Sequence, residues 1–179
     1  MHFWLQNGHP FVHRDIKPAN ILLTYELEPR ICDFGLLYVT SEDPNHLRTI
    51  FQGTIAYSPA EAFSDDINIP TTKWDVFSFG VIMYELLTGL PVIEEGRIQI
   101  SGSDNPGYGR HLRDHLLVLP DGLIPNILDQ NAGWNTDLAC KLFKFARRAT
   151  HQDHVNALQA SLSRPDIQEF IQDFEFMNQ

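Results

Sequence analysis

Residues 73–88 constrain the fold more than any other part of the sequence. Their apolar side chains recur at helical spacing, and Gly89 followed by Pro91 predicts the end of a helix. A helix that is apolar on nearly every side has to be covered on every side. The sequence therefore predicts a helix in the middle of a helical core.

Further elements are predicted on both sides of this helix. Before it, residues 21–23 and 29–32 have the composition of two short strands joined by a polar turn. A Ser-Pro start favours a short helix over residues 58–63, and longer helices are predicted over residues 110–119, 137–149 and 166–174. The predicted fold class is mainly α, a helical bundle with a small β hairpin.

Three finer expectations follow from the same patterns. In the helix at residues 137–149, the side chains expected to face inward are Leu138, Leu142, Phe145 and Ala146. The N-terminus resembles the end of a helix, because apolar Leu5 is followed by Asn-Gly. Residues 36–54 are polar and irregular, and loops of that length are usually functional.

The composition excludes several functional classes. A chain of 179 residues is long enough for one domain with a core. Its formal net charge of -10 argues against general binding of nucleic acids, which requires a basic face. No apolar run is long enough to span a membrane. Cys32 and Cys140 are too few for a disulfide framework, so we expect reduced thiols and a cytoplasmic location, including as the cytoplasmic part of a membrane receptor.

Four polar side chains near the N-terminus suggest a chemical reaction. Asn20 and Asp33 offer oxygen atoms of the kind that Mg²⁺ prefers, with room left for phosphate and water. Asp15 is placed to accept a proton, and Lys17 supplies a point charge for a transferring phosphoryl group. Phosphoryl transfer depends mainly on such positioning and charge stabilisation.

The order of motifs resembles that of eukaryotic protein kinases. Residues 13–20 (HRDIKPAN) resemble the catalytic loop, and residues 33–35 (DFG) resemble the metal-binding motif. Residues 53–61 are similar to the end of the activation segment, residues 75–80 to the central helix of the large lobe, and Arg164 to a late arginine. The resemblance covers essentially the whole chain and is nearest to plant receptor-like and interleukin-1-receptor-associated kinases.

The resemblance implies a serine/threonine protein kinase that uses ATP and Mg²⁺. Asp15 is then the catalytic base that orients the substrate hydroxyl, and Lys17 neutralises the γ-phosphate, as is typical of serine/threonine kinases. Asn20 and Asp33 hold the Mg²⁺, and Leu22 lies under the adenine.

Supporting roles are implied by the same resemblance. Thr54 braces Asp15 and Lys17, while Arg14 holds a phosphorylated threonine, best matched by Thr49. Thr40, Ser41 and Thr54 are competing phosphorylation sites. The structural roles are stacking of His13 on Phe34, support of the catalytic-loop backbone by Asp75, and an ion pair between Glu61 and Arg164.

The sequence departs from the kinase pattern in two ways. The activation segment ends in Ser-Pro-Ala-Glu rather than Ala-Pro-Glu, which puts the local turn in doubt. No Gly-rich phosphate loop, strand lysine or partner glutamate is found. We therefore expect the large lobe alone over residues 1–179, without the small β lobe. Its parts are a catalytic loop at 13–20, an activation segment at 33–61 and a helical core at 73–174.

Two functions remain open at this point. The first is a kinase fragment that acts on a protein substrate together with a missing small lobe or an upstream receptor or regulatory region. The alternative is a catalytically dead kinase-like module that binds or regulates partners. A metal site at His111 and His115 is also conceivable from their spacing, and Cys32 is expected to be a small buried hydrophobe rather than a reactive thiol.

Overall fold

The computed structural model describes residues 5–6, 9–40, 50–63, 69–93 and 111–151. Its strands are β1 (Leu5–Gln6), β2 (His9–Val12), β3 (Ile21–Leu23), β4 (Pro29–Ile31) and β5 (Tyr38–Val39). Its α-helices are α1 (Thr72–Thr88), α2 (Leu112–Leu117), α3 (Ile124–Ile127) and α4 (Thr136–Ala149). Short 3₁₀ turns occupy Pro18–Asn20, Phe34–Leu36, Ile55–Tyr57, Ala60–Phe63 and Asp121–Leu123.

Helix α1 lies in the middle of the helical core, as its sequence predicts. Most of its side chains are buried, including Phe77 and Tyr84, and Gly89 ends it in the left-handed conformation. Helix α4 packs directly on α1, where the rings of Tyr84 and Phe143 lie 5.1 Å apart. Gly80 makes this approach possible, because a Cβ atom there would lie 2.8 Å from the Cβ of Ala149.

The predicted inward face of α4 is correct only in part. Phe145 and Ala146 are buried as expected, but Leu138 is 36% exposed. Ala139 and Phe143 are fully buried instead. Each lies one position after a residue that was predicted to face inward, Leu138 and Leu142. The offset arises because α4 turns its small residues toward Gly80 of α1, a long-range contact that the apolar spacing of α4 alone does not reveal.

The two predicted strands form an antiparallel hairpin, β3–β4, in which Ile21 is opposite Ile31. A second sheet has the order β1–β2–β5, so the expected helix end at Leu5 is wrong: Leu5–Gln6 is a strand paired with β2. Asn-Gly is also a strong hairpin signal, and it follows these residues in the sequence. The pairing of β2 with β5 could not be predicted from local periodicity, because the two strands are far apart in the sequence.

The remaining predictions have mixed outcomes. Helix α2 is shorter than the predicted range of 110–119, and the expected helix at 58–63 is a 3₁₀ turn, Ala60–Phe63. The predicted helix at 166–174 lies outside the described residues. Within the described ranges, no helix combines the length and apolarity that crossing a bilayer requires.

Candidate active site

Asp75 of α1 supports the backbone of the polar loop between β2 and β3. Its buried carboxylate accepts hydrogen bonds from the backbone N–H of His13 at 2.7 Å and of Arg14 at 3.0 Å. Burial raises the pKa of Asp75 to about 7, although both N–H donors and the charge of Arg14 act in the opposite direction. The predicted contact between Asp75 and the loop backbone is thus present.

Asp15, Lys17 and Thr54 form a closed hydrogen-bonded triangle. The Thr54 hydroxyl donates to Asp15 Oδ1 at 2.6 Å and accepts from Lys17 Nζ at 2.8 Å. Lys17 Nζ also lies 2.9 Å from Asp15 Oδ2. The loop and the segment at residue 54 therefore share one cluster of a carboxylate, an ammonium group and a hydroxyl group.

Asn20 completes the surroundings of Asp15. Its amide nitrogen donates to the backbone carbonyl of Asp15 at 2.8 Å and to Asp15 Oδ2 at 3.0 Å. Partial burial opposes ionisation of Asp15, but the hydrogen bonds from Thr54 and Lys17 outweigh it. The charge of Lys17 and the hydrogen bond from Asn20 add to them, so the pKa of Asp15 lies below its ordinary value. Asp15 is therefore an ionised acceptor at neutral pH.

The β3–β4 hairpin brings Asn20 and Asp33 to the same end of the structure. Asn20 directly precedes β3, and its carbonyl accepts from the backbone N–H of Cys32 at 2.9 Å. Asp33 follows immediately, exposed and with a left-handed φ of 63°. The side-chain amide oxygen of Asn20 and the carboxylate of Asp33 are ligand atoms of the type that suits Mg²⁺. Among the residues that the structure describes, no cluster of three or more His, Cys, Asp or Glu side chains is found.

His13 links the catalytic-type loop to the Asp-Phe-Gly turn. Its buried ring lies edge-on to Phe34, with ring centroids 5.2 Å apart. Nδ1 accepts from the backbone N–H of Asp15 at 3.3 Å, so Nε2 carries the proton donated to the Cys32 carbonyl at 3.0 Å. The predicted ring contact between His13 and Phe34 is therefore present.

Arg14 adopts an uncommon backbone conformation beside Asp15, with φ of 70°. Its guanidinium donates from Nε to the Leu36 carbonyl and from Nη2 to Gln52 Oε1 at 3.2 Å, and it lies over the Tyr38 ring. The predicted phosphorylation site, Thr49, lies outside the described residues.

Several contacts of the segment after Thr54 were not expected from the sequence. The Tyr57 carbonyl accepts from the Ser78 hydroxyl at 2.7 Å, and the Tyr57 hydroxyl donates to Glu85 Oε2 at 2.8 Å. Burial, with the adjacent Glu85 carboxylate, raises the pKa of Tyr57. No local pattern marks these pairs, because 21 and 28 residues separate the partners.

His111 also holds this segment, which argues against the metal site considered for His111 and His115. Its Nε2 lies 2.6 Å from the carbonyl of Ala56, and its Nδ1 accepts from the backbone N–H of Arg113 at the start of α2. Both ring nitrogens therefore have protein partners, and neither is available as a ligand atom.

The other predicted site residues are placed as follows. Leu22 on β3 is 57% exposed at the hairpin that carries Asn20. Glu61 is buried, but its predicted partner Arg164 lies outside the described residues. Cys32 is a half-buried free thiol, not the fully buried one expected.

Comparisons with known proteins bear on the family of this chain. The family model described as a protein kinase domain matches residues 2–112. A leucine-rich repeat receptor-like serine/threonine-protein kinase of Arabidopsis thaliana is 38% identical over 80% of this chain and 16% of its own length. The proline-rich receptor-like protein kinase PERK1 of the same plant is 31% identical over 88% of this chain and 25% of its own length. Chitin elicitor receptor kinase 1 of Physcomitrium patens is 33% identical over 79% of this chain and 23% of its own length. The chain thus spans a quarter or less of each of these relatives.

Proposed function

This chain belongs to the protein kinase family and is related to plant receptor-like serine/threonine kinases, and we propose that it supplies the catalytic loop of such an enzyme. The proposed reaction transfers the γ-phosphoryl group of ATP to a serine or threonine hydroxyl of a protein. The observation that carries the proposal is the position of Asp15, which is ionised and held by Thr54, Lys17 and Asn20.

Asp15 orients the substrate hydroxyl and accepts its proton during the transfer. Its two carboxylate oxygens are already fixed by neighbouring donors, so the acceptor group needs little rearrangement when a substrate binds. Lys17 lies next to Asp15 and supplies positive charge for the phosphoryl group that is being transferred.

Asn20 and Asp33 are the residues proposed to hold Mg²⁺, and Leu22 is proposed to lie under the adenine of ATP. The metal ion neutralises charge on the phosphate oxygens when it is bound. The hairpin supports this assignment, because the hydrogen bond between Asn20 and Cys32 keeps Asn20 and Asp33 at the same end of β3–β4. Asp33 is exposed and open to a bound nucleotide.

We further propose that residues 1–179 form the large lobe of the kinase and act together with a small lobe. Apolar side chains of the hairpin and the Asp-Phe-Gly turn, Leu22, Leu23 and Phe34, are exposed beside the proposed adenine site. A lobe packed on them would close the nucleotide site from above and bury apolar area. From the similarity to plant receptor-like kinases, we also propose that the substrate is a cytoplasmic protein and that a receptor or regulatory region is the upstream partner.

The direct test is phosphoryl transfer by the protein that carries both lobes. Purified protein is incubated with Mg·ATP and a protein substrate, and the phosphorylated amino acid is identified by mass spectrometry. Phosphoserine or phosphothreonine that disappears when EDTA removes Mg²⁺ supports the proposal. Binding of partners without any transfer would instead support the alternative, a catalytically dead binding module.

A further inference from the structure

Arg14 connects the catalytic loop to helix α1 through its backbone and to the activation segment through its side chain. Its backbone N–H is bound to Asp75, and the next residue in the chain is the proposed base, Asp15. The φ of 70° costs free energy for a residue with a side chain, so this conformation requires support from its neighbours. A change in the position of Arg14 therefore alters the position of Asp15.

Among the described residues, the groups that hydrogen-bond to the Arg14 guanidinium or lie against it are uncharged. Its partners are the Leu36 carbonyl, the Gln52 amide oxygen and the face of the Tyr38 ring. None of these three groups is a carboxylate. Burial lowers the pKa of Arg14, and the charges of Tyr38 and Asp75 act in the opposite direction. The guanidinium nevertheless stays charged at neutral pH, as arginine does in proteins.

The backbone beside Gln52 approaches Arg14 closely. A Cβ atom on Gly53 would lie 2.5 Å from the Arg14 carbonyl oxygen, and Gly53 has a φ of 137°. Only glycine fits this contact without a shift of the backbone. The glycine therefore fixes the distance between the two segments, and Gln52 is placed where its side chain reaches the guanidinium.

We propose that Gln52 is a positioning residue for phosphoryl transfer, one that anchors Arg14 to the activation segment when the segment carries no phosphate. The proposal rests on the function proposed above. A neutral amide acceptor forms a weaker hydrogen bond to a guanidinium than a phosphate does. We therefore expect the unphosphorylated protein to retain part of its activity, and the contact with Gln52 to contribute to that part.

The experiment uses the kinase with both lobes, treated with phosphatase and carrying Thr49→Ala so that the predicted phosphorylation site is removed. In this background Gln52→Ala is expected to lower kcat by about 3- to 10-fold, the equivalent of one neutral hydrogen bond, with little change in the KM for ATP. Gln52→Glu keeps the acceptor and adds a negative charge. Its kcat is expected to match or exceed that of the parent protein, the phosphatase-treated Thr49→Ala kinase.

Gln130→Ala serves as the matched control, because the Gln130 amide donates to the carbonyl of nearby Leu128 in a surface turn far along the chain. Amide hydrogen exchange is measured on the same proteins as a readout that does not depend on catalysis. Faster exchange at residues 50–54 is expected in Gln52→Ala and not in Gln52→Glu or Gln130→Ala.

The possible outcomes separate the two proposals. An active parent in which Gln52→Ala changes neither kcat nor exchange overturns the role of Gln52 and leaves the kinase function intact. The same conclusion follows if Gln52→Glu is as impaired as Gln52→Ala. A parent protein without phosphoryl transfer in any phosphorylation state overturns the kinase function itself, and the role of Gln52 in catalysis with it.

Discussion

The hydroxyl of Thr54 donates a hydrogen bond to Asp15 Oδ1 at 2.6 Å across 39 residues of sequence. The hydroxyl oxygen of Thr54 also accepts from Lys17 Nζ, so one side chain of the predicted activation segment orients both the proposed base and the proposed phosphate-binding lysine. This contact makes the geometry of the catalytic loop dependent on the position of the segment at Gly53 and Thr54.

Replacement of Thr54 by valine should reduce catalysis because it removes a hydrogen bond to a charged group. Such bonds contribute about 1.5–3 kcal/mol, so we expect kcat to fall roughly 10- to 100-fold. Thr54→Ser retains the hydroxyl and should keep most of the activity. Initial rates with Mg·ATP and a serine peptide measure the effect, and equal rates for Thr54→Val and the wild type would contradict it.

Replacement of Asp75 by alanine should destabilise the protein. It leaves the buried N–H groups of His13 and Arg14 without their acceptor, and each unsatisfied group costs about 1–3 kcal/mol. We expect a loss of about 2–5 kcal/mol in the free energy of unfolding, measured by urea denaturation. Asp114→Ala removes an exposed carboxylate and should cost less than about 1 kcal/mol. Similar values for the two variants would refute the role of Asp75.

Alanine at Gly80 should also destabilise the protein, although Gly→Ala within a helix normally stabilises it. The added Cβ would lie 2.8 Å from Ala149 and from Thr150, so α4 has to move and the expected cost is about 1–3 kcal/mol. Gly122→Ala is the matched control, because a Cβ atom added there would meet no other part of the described chain within 4 Å. Thermal and urea unfolding of both variants measure the difference, and a stabilising Gly80→Ala would show that the helices pack differently.

His111 should make stability depend on pH. Burial lowers its pKa, and the charge of Arg113 acts in the same direction, against the Ala56 hydrogen bond and Asp114. The unfolded protein therefore binds the proton more readily, so the contribution is complete above the ordinary value of 6.5 and is lost as the pH falls below it. His111→Asn retains a capping side chain without the titration. The free energy of unfolding of His111→Asn should decrease less than that of the wild type between pH 7 and pH 5, and parallel curves would contradict the account.

Part of this arrangement could be predicted from the sequence, and the reasons are physical. Helix α1 has an apolar periodicity strong enough to define its bounds within one residue, and the β3–β4 hairpin has clear turn signals. The residues around Asp15 could be predicted because residues 13–20 and 33–35 resemble motifs of protein kinases. Their contacts with Thr54 and Asp75 followed from the same motifs.

The rest depends on contacts between distant segments. The buried face of α4 is set by the approach of Gly80, and the strand Leu5–Gln6 belongs to a sheet that reaches β5. Gln52 has no local signal, because its proposed role depends on a contact with Arg14, 38 residues away. Such pairs become visible only when the chain is folded.

The central claim is that Asp15 acts as the base in phosphoryl transfer, and the most direct test is the kcat of Asp15→Asn in the kinase with both lobes. The substitution keeps the size of the side chain but removes the charge and the proton acceptor. We expect kcat to fall by about 100-fold or more, or about 3 kcal/mol in the barrier. Asp137→Asn, at an exposed position on α4, should leave kcat unchanged. An Asp15→Asn enzyme with wild-type kcat would contradict the account.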